Sequence, residues 1–196
     1  MGQSAGQLVY VVGPSGAGKD SILSWLEAHG AGALRMVRAR RTITRPNVPG
    51  AEAHEAVTAA QFEQLASSGV LAMHWVANGC SYGVRASELA ALASGAVVCV
   101  NGSRAYLPRA QTLFPGMAVL SISAPENVLR QRLLARGRET AAGVDARLAR
   151  NASLPALQHP RLAVVCNNAS LADAGQAALA ALRAWMPAAL SDPLRD

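Results

Sequence analysis

Lysine occurs once among the 18 basic residues of this 196-residue chain, and that one lysine closes a glycine-rich loop. Leu8-Val9-Tyr10-Val11-Val12 precedes the loop and reads as a buried strand. Gly13-Pro14-Ser15-Gly16-Ala17-Gly18-Lys19 follows, then Asp20-Ser21 and the helical opening Ile22-Leu23-Ser24-Trp25-Leu26. Strand, glycine loop, lysine and helix, in that order, are the parts of a phosphate-binding P-loop. Glycines let the backbone approach phosphates closely, and the loop N–H groups and the helix N-terminus point at the anion. A compact ammonium fits inside such a wrap where a planar arginine fork does not, and every other basic residue here is arginine. The strict pattern has Ser or Thr after the lysine to meet Mg²⁺. Asp20 stands there instead, and because Mg²⁺ favours oxygen ligands it is the candidate metal ligand.

The length predicts one domain with inserted subdomains. Hydrophobic residues make up 51% but aromatics only 4%, so the core is expected from Val, Leu and Ala. A net charge of +6 fits nucleic acid, anionic membrane or small phosphates. Only Arg35-Met36-Val37-Arg38-Ala39-Arg40-Arg41 is densely basic, and no aromatic platform accompanies it, which argues against nucleic acid. Cys80, Cys99 and Cys166 show no metal spacing. Cys99 and Cys166 lie in apolar runs and read as inert core residues, as in a reducing cytoplasm. The first six residues show no signal-peptide pattern, and no stretch of about 18 apolar residues is present to span a membrane. The last residues read as a polar tail, and the oligomeric state is left open.

Strands are predicted at 7–12, 34–38, 96–100, 117–122 and 162–166. Helices are predicted at 19–29, 59–68, 86–94, 104–113, 126–136, 143–152 and 171–185, with Thr58 as one start signal. The alternation predicts a three-layer α/β fold with a five-stranded parallel sheet. Residues 1–39 and 86–196 would form the core. The turn-rich stretch from about 40 to 85 interrupts the alternation and is the expected substrate-binding insert. Residues 137–146, between two arginine-bearing helices, read as a lid.

Arg132 and Arg136 share one helix face, and Arg147 lies beyond the expected lid. A solvated basic face is the plain reading. With a P-loop in the same chain, arginines converging on a transferring phosphoryl group is the stronger one. Asn101-Gly102-Ser103-Arg104 follows a strand and opens a predicted helix, where α/β sheets bind ligands and helix N-termini bind anions. A simple helix cap at Asn101 or Ser103 is the alternative.

Taken together these segments resemble the guanylate kinase branch of nucleoside-monophosphate kinases. Gly13–Ser21 matches its P-loop. Thr42-Ile43-Thr44-Arg45-Pro46 is similar to its Thr-Thr-Arg segment, Tyr82-Gly83 to its Tyr-Gly, and Arg132, Arg136 and Arg147 to its lid arginines. The resemblance implies that Arg45 and Tyr82 hold the acceptor's phosphate. It departs where guanine would be read. The segments 71–77 and 97–101 contain no acid, and Val48 replaces a second arginine.

The chain more closely resembles the ribose 1,5-bisphosphate phosphokinases of bacterial phosphonate breakdown, which share the Gly-Lys-Asp-Ser variant. Further similar segments are Gly50-Ala51-Glu52-Ala53-His54, His74-Trp75-Val76-Ala77-Asn78-Gly79, Tyr82-Gly83-Val84, Val100-Asn101-Gly102-Ser103-Arg104-Ala105 and Arg136-Gly137-Arg138-Glu139. The likeness implies ATP- and Mg²⁺-dependent phosphorylation of ribose 1,5-bisphosphate to 5-phosphoribosyl 1-diphosphate. Glu52 and His54 would accept from ribose hydroxyls, with plain surface positions the alternative, and His74 and Trp75 would line the pocket, with a plain core role the alternative for Trp75. Competing readings are a nucleoside-monophosphate kinase of other base specificity, a non-catalytic guanylate-kinase-like binding module, and a nucleic-acid binder.

Overall fold

The computed structural model describes residues 6–30, 34–47, 52–137 and 140–186. In chain order these form β1 (Gln7–Val12), α1 (Lys19–His29), β2 (Met36–Arg38), β3 (Arg41–Ile43), β4 (Glu55–Ala56), α2 (Ala59–Ser67), β5 (Leu71–Ala77) and β6 (Cys80–Arg85). A 3₁₀ helix (Ala86–Ser94) leads into β7 (Val97–Asn101), α3 (Leu107–Leu113), β8 (Ala118–Ser123), α4 (Glu126–Ala135), α5 (Ala141–Ala152), β9 (Leu162–Cys166) and α6 (Leu171–Ala184).

Five strands form one parallel sheet in the order β2-β7-β1-β8-β9. All of β1 is buried, and its period-two alternation divides the core. Val9 and Val11 join Ile22, Leu26, Leu129 and Leu182 on the face covered by α1, α4 and α6. Leu8, Tyr10 and Val12 join Met73, Tyr82 and Leu107 on the other. Helix α1 packs on α6 at Gly175, where a Cβ would fall 2.2 Å from the Trp25 ring. The fold is the expected three-layer α/β arrangement around a five-stranded parallel sheet.

Residues 41–85 build a second, four-stranded sheet in the order β4-β3-β6-β5. Helix α2 covers it with Phe62, and a reciprocal capping box between Thr58 and Gln61 starts that helix. Alternation along β5 buries Leu71, Met73 and Trp75 and exposes His74 and Val76. Glu55 ties the sheet together: it accepts from Thr42 on β3 at 2.8 Å and from Arg85 on β6 at 2.6 and 2.7 Å.

Some local expectations shift. The 86–94 segment is a 3₁₀ helix rather than an α-helix. Helix α3 begins at Leu107, three residues later than the pattern suggests, because 102–106 form a loop at the carboxyl end of β7. Residues 141–146, expected in a lid, are the first half of α5, whose cap Thr140 accepts from Gly143 N. Cys99 is buried, and burial pushes its thiol up to about 12, so it is inert. Cys166 is not a core residue: β9 is an edge strand and exposes both Val164 and Cys166. The remaining expected lid residues Arg138 and Glu139, the Val48 and Gly50-Ala51 positions, and the C-terminal tail lie outside the described residues.

Candidate active site

β1 lies between β7 and β8 in the sheet, so the loops after β1 and β7 sit side by side at its carboxyl edge. Ligands of open α/β sheets bind at such an edge. A cleft of about 620 Å³ opens there, walled by the P-loop, the loop after β7, the β3–β6 sheet, and residues of α4 and α5.

The loop is shaped from behind. Gly18 caps α1 at φ 88°, and a Cβ there would fall 2.2 Å from Asn167 Nδ2. That same amide, at the end of β9, donates to Ala17 O at 2.8 Å, while Asn167 N donates to Ser123 O at 2.7 Å. Asn167 thus fastens the loop to the sheet, and no local sequence pattern marks it. Lys19 Nζ donates to Gly13 O at 2.8 Å and Pro14 O at 3.1 Å. Desolvation pushes its ammonium down to about 8; Asp20 and Glu52 oppose that shift, and Arg41 and Arg136 add to it. The lysine is poised to exchange two carbonyls for an anion. Gly13, Ser15, Gly16, Gly18, Lys19, Asp20 and Ser21 face the cleft; Pro14 and Ala17 are not on its wall.

Arg136 and Arg147 also line the cleft, and Arg147 Nη1 donates to Ser15 Oγ at 3.1 Å. Arg132 lies behind the wall, its Nη1 reaching Gly16 O at 3.4 Å.

Asp20 Oδ1 accepts from Arg38 Nη2 at 2.6 Å and from Asn101 Nδ2 at 2.8 Å. Its other oxygen makes no hydrogen bond among the described residues, and the Ser21 side chain beside it is exposed. No cluster of three acidic, His or Cys ligands exists among the described residues. One open carboxylate oxygen fits a cation held mainly by phosphates and water, the usual habit of Mg²⁺.

The opposite wall carries Arg41, Arg45, Glu52, Trp75, Tyr82 and Arg104. Arg45 Nε is buried with no hydrogen-bond partner among the described residues. Tyr82 stacks on Trp75 with ring centroids 5.7 Å apart, and Trp75 also stacks on Tyr106. Glu52, read from sequence as a hydroxyl acceptor, is 5% exposed at its side chain and turned to Arg41. Arg41 Nε donates to Glu52 Oε1 at 2.9 Å, Nη2 pairs with Oε2, and Nη1 reaches Asn101 O at 3.3 Å. The same guanidinium lies 5.2 Å over the Tyr82 ring. His54 is buried, does not line the cleft, and turns both ring nitrogens to backbone carbonyls. His74 points away on the exposed face of β5.

The loop after β7 is braced by Tyr10, whose hydroxyl donates to Ser103 O at 3.1 Å and accepts from Ser103 N at 3.0 Å. A Cβ on Gly102 would lie 2.0 Å from the Tyr10 ring, so glycine is required. The Ser103 amide is therefore engaged, and the α3 N-terminus lies further along; the loop does not present that helix end to an anion. Arg104 donates to Pro155 O. Sequence reasoning missed Arg38, Arg41, Tyr10 and Asn167. Arg38 and Arg41 were visible only as a basic run.

No protein-family model matches the chain. A Laribacter hongkongensis protein named ribose 1,5-bisphosphate phosphokinase PhnN is 44% identical over 99% of this chain and 46% of its own length. A Burkholderia pseudomallei protein of the same name is 44% identical over 91% of this chain and 96% of its own length. This chain belongs to the ribose 1,5-bisphosphate phosphokinase family. It spans less than half the length of the Laribacter relative and of a 43% identical Janthinobacterium relative, of which it covers 39%. Among solved structures, a guanylate kinase from Anaplasma phagocytophilum superposes with a TM-score of 0.66 at 16% identity. It covers 96% of this chain and 90% of that one, which is a likeness of fold. No described helix is long and apolar enough to cross a membrane.

Proposed function

We propose that the chain transfers the γ-phosphoryl group of ATP to the 1-phosphate of ribose 1,5-bisphosphate, forming 5-phosphoribosyl 1-diphosphate and ADP. The observation that carries this reading is the state of the acids in the cleft. Asp20 and Glu52 are the acids on its wall among the described residues, and both are tied to arginines. Among the described residues, nothing on the acceptor side offers a free carboxylate to the N–H edge of guanine, whereas Arg45, Arg104 and Tyr82 suit phosphates. A sugar carrying two phosphates and no base matches that wall.

An oxygen of the acceptor phosphate attacks the γ-phosphorus in line, and the bond to the β,γ-bridging oxygen breaks. The acceptor is already anionic, so no strong general base is required. Lys19 leaves the Gly13 and Pro14 carbonyls for phosphate oxygens, while Arg136 and Arg147 spread over the charge of the transferring group. Arg132 backs the loop at Gly16. Asp20 and Ser21 would hold Mg²⁺, which would supply neutralisation of the nucleotide's phosphate charge. Arg45 and Tyr82 fix the attacking phosphate, and the loop from Asn101 to Arg104 holds the rest of the sugar phosphate.

The test is an acceptor panel. ATP consumption is followed with ribose 1,5-bisphosphate, GMP, AMP and UMP in parallel, and products are identified by phosphorus NMR. A new diphosphate on the anomeric carbon is expected. Turnover of a nucleoside monophosphate in preference to the sugar would make this a nucleotide kinase.

A further inference from the structure

We infer that His54 is a positioning residue, one that sets the acceptor wall through two main-chain carbonyls without touching the substrate. The inference rests on the reading of Arg45 as the acceptor's phosphate ligand.

The ring is 6% exposed and off the cleft wall. Its Nδ1 lies 3.0 Å from Glu52 O and its Nε2 2.9 Å from Arg45 O. Both carbonyls belong to residues that do face the cleft. Glu52 carries Arg41, and Arg45 presents a buried Nε with no partner among the described residues. His54 therefore ties the main chain at Arg45 to the main chain at Glu52.

A second anchor holds the same place from the other side. Ser81 N donates to Thr44 Oγ1 at 2.8 Å, and Thr44 N donates to Ser81 O at 3.1 Å. Arg45 thus sits between a β6 anchor on the preceding residue and the His54 ring on its own carbonyl. A carbonyl accepts only, so a ring nitrogen that carries a proton donates to the carbonyl it faces. A buried imidazole whose ring contacts among the described residues are these two carbonyls is a device for holding Arg45 and Glu52 in register. A shift of about 1 Å in a substrate-positioning group is enough to weaken its function strongly.

The two contacts can be separated by substitution. An asparagine amide nitrogen falls near the place of Nδ1 and keeps the Glu52 contact; a glutamine amide nitrogen falls near Nε2 and keeps the Arg45 contact. The experiment measures KM for ATP, KM for the acceptor, and kcat for wild type, His54→Gln, His54→Asn and His54→Leu. It uses whichever panel acceptor the wild type turns over best. His54→Asn should raise the acceptor KM about fivefold and His54→Leu further, the loss expected for one and two hydrogen bonds. His54→Gln, which gives up the Glu52 contact, should also raise the acceptor KM about fivefold, and KM for ATP should hold in all three. If His54→Leu does not fold, the Asn and Gln pair carries the test. An acceptor KM unchanged in both, or both KM values rising together, overturns the inference alone. A wild type that turns over none of the acceptors removes the acceptor-site reading and this inference with it.

Discussion

The Glu52 carboxylate is 5% exposed and has both its oxygens on the Arg41 guanidinium. Removing one member of such a pair leaves the other charge buried and unmatched, at a cost of about 3–5 kcal/mol, while removing both costs less. Glu52→Ala should therefore lower unfolding stability by about that amount. The double variant Arg41→Ala/Glu52→Ala should be more stable than Glu52→Ala alone. Denaturant titration of the three proteins checks this, and a double variant weaker than the single would show that the pair is not the source of the loss.

Lys19 is held near 8 against an ordinary value of 10.5. Between those two values the unfolded chain keeps a proton that the folded chain has released, so this group's contribution to nucleotide-free stability rises with pH across that window. Nucleotide affinity moves the other way. On the proposed reading ATP is held by the ammonium, so its affinity should fall as pH climbs above about 8, and binding there should take up a proton. Calorimetry in buffers of different ionisation enthalpy reads that proton directly. Lys19→Met should show no uptake at pH 8.5, lose turnover by orders of magnitude, and melt no lower than wild type without nucleotide.

Hydrogen bonds from Arg85 hold the Glu55 carboxyl down to about 2, with Thr42 adding to the effect. A depressed acid stabilises fully above its unfolded value of 4.5, and the contribution disappears as pH falls through the window down to 2. Both side chains are about a quarter exposed, so screening leaves roughly 1–2 kcal/mol rather than the full shift. Glu55→Gln should be less stable than wild type by that margin at pH 7. The gap should stay constant down to about pH 4.5 and then narrow, as read by thermal melts at stepped pH.

Gly175→Ala places a methyl 2.2 Å from Trp25 Cδ2 in the α1–α6 contact. Overpacking of this kind costs about 1–3 kcal/mol. Melting temperature should drop while KM for ATP and kcat at 25 °C stay near wild type, because the contact lies on the sheet face away from the acceptor wall. A loss of activity without a loss of stability would contradict this.

What the sequence made legible was contiguous. The run from Leu8 to Leu26 specifies a strand, a loop and a helix from neighbouring residues, and the apolar segments at 97–101, 118–123 and 162–166 carry the parallel sheet. What it hid was assembled across distance. Asn167 reaches Ala17 from the far end of the chain, and Tyr10 clasps Ser103 across the sheet, with no local pattern announcing either. Residue type misled at Glu52 and His54. Both are polar residues that look suited to hydroxyls, yet one neutralises an arginine and the other binds its own backbone. Cys166 sits in an apolar run, but strand order, which no window of residues reveals, leaves it at an edge.

One oxygen of Asp20 is shared by Arg38 at the end of β2 and Asn101 at the end of β7, so on the proposed reading the nucleotide side and the sugar side of the cleft meet in a single atom. A nucleotide that draws this carboxylate toward a cation must be felt by Asn101. By thermodynamic reciprocity, a sugar phosphate that displaces Asn101 changes nucleotide affinity by the same factor. The two substrates are therefore expected to bind with linked rather than independent dissociation constants, whichever arrives first.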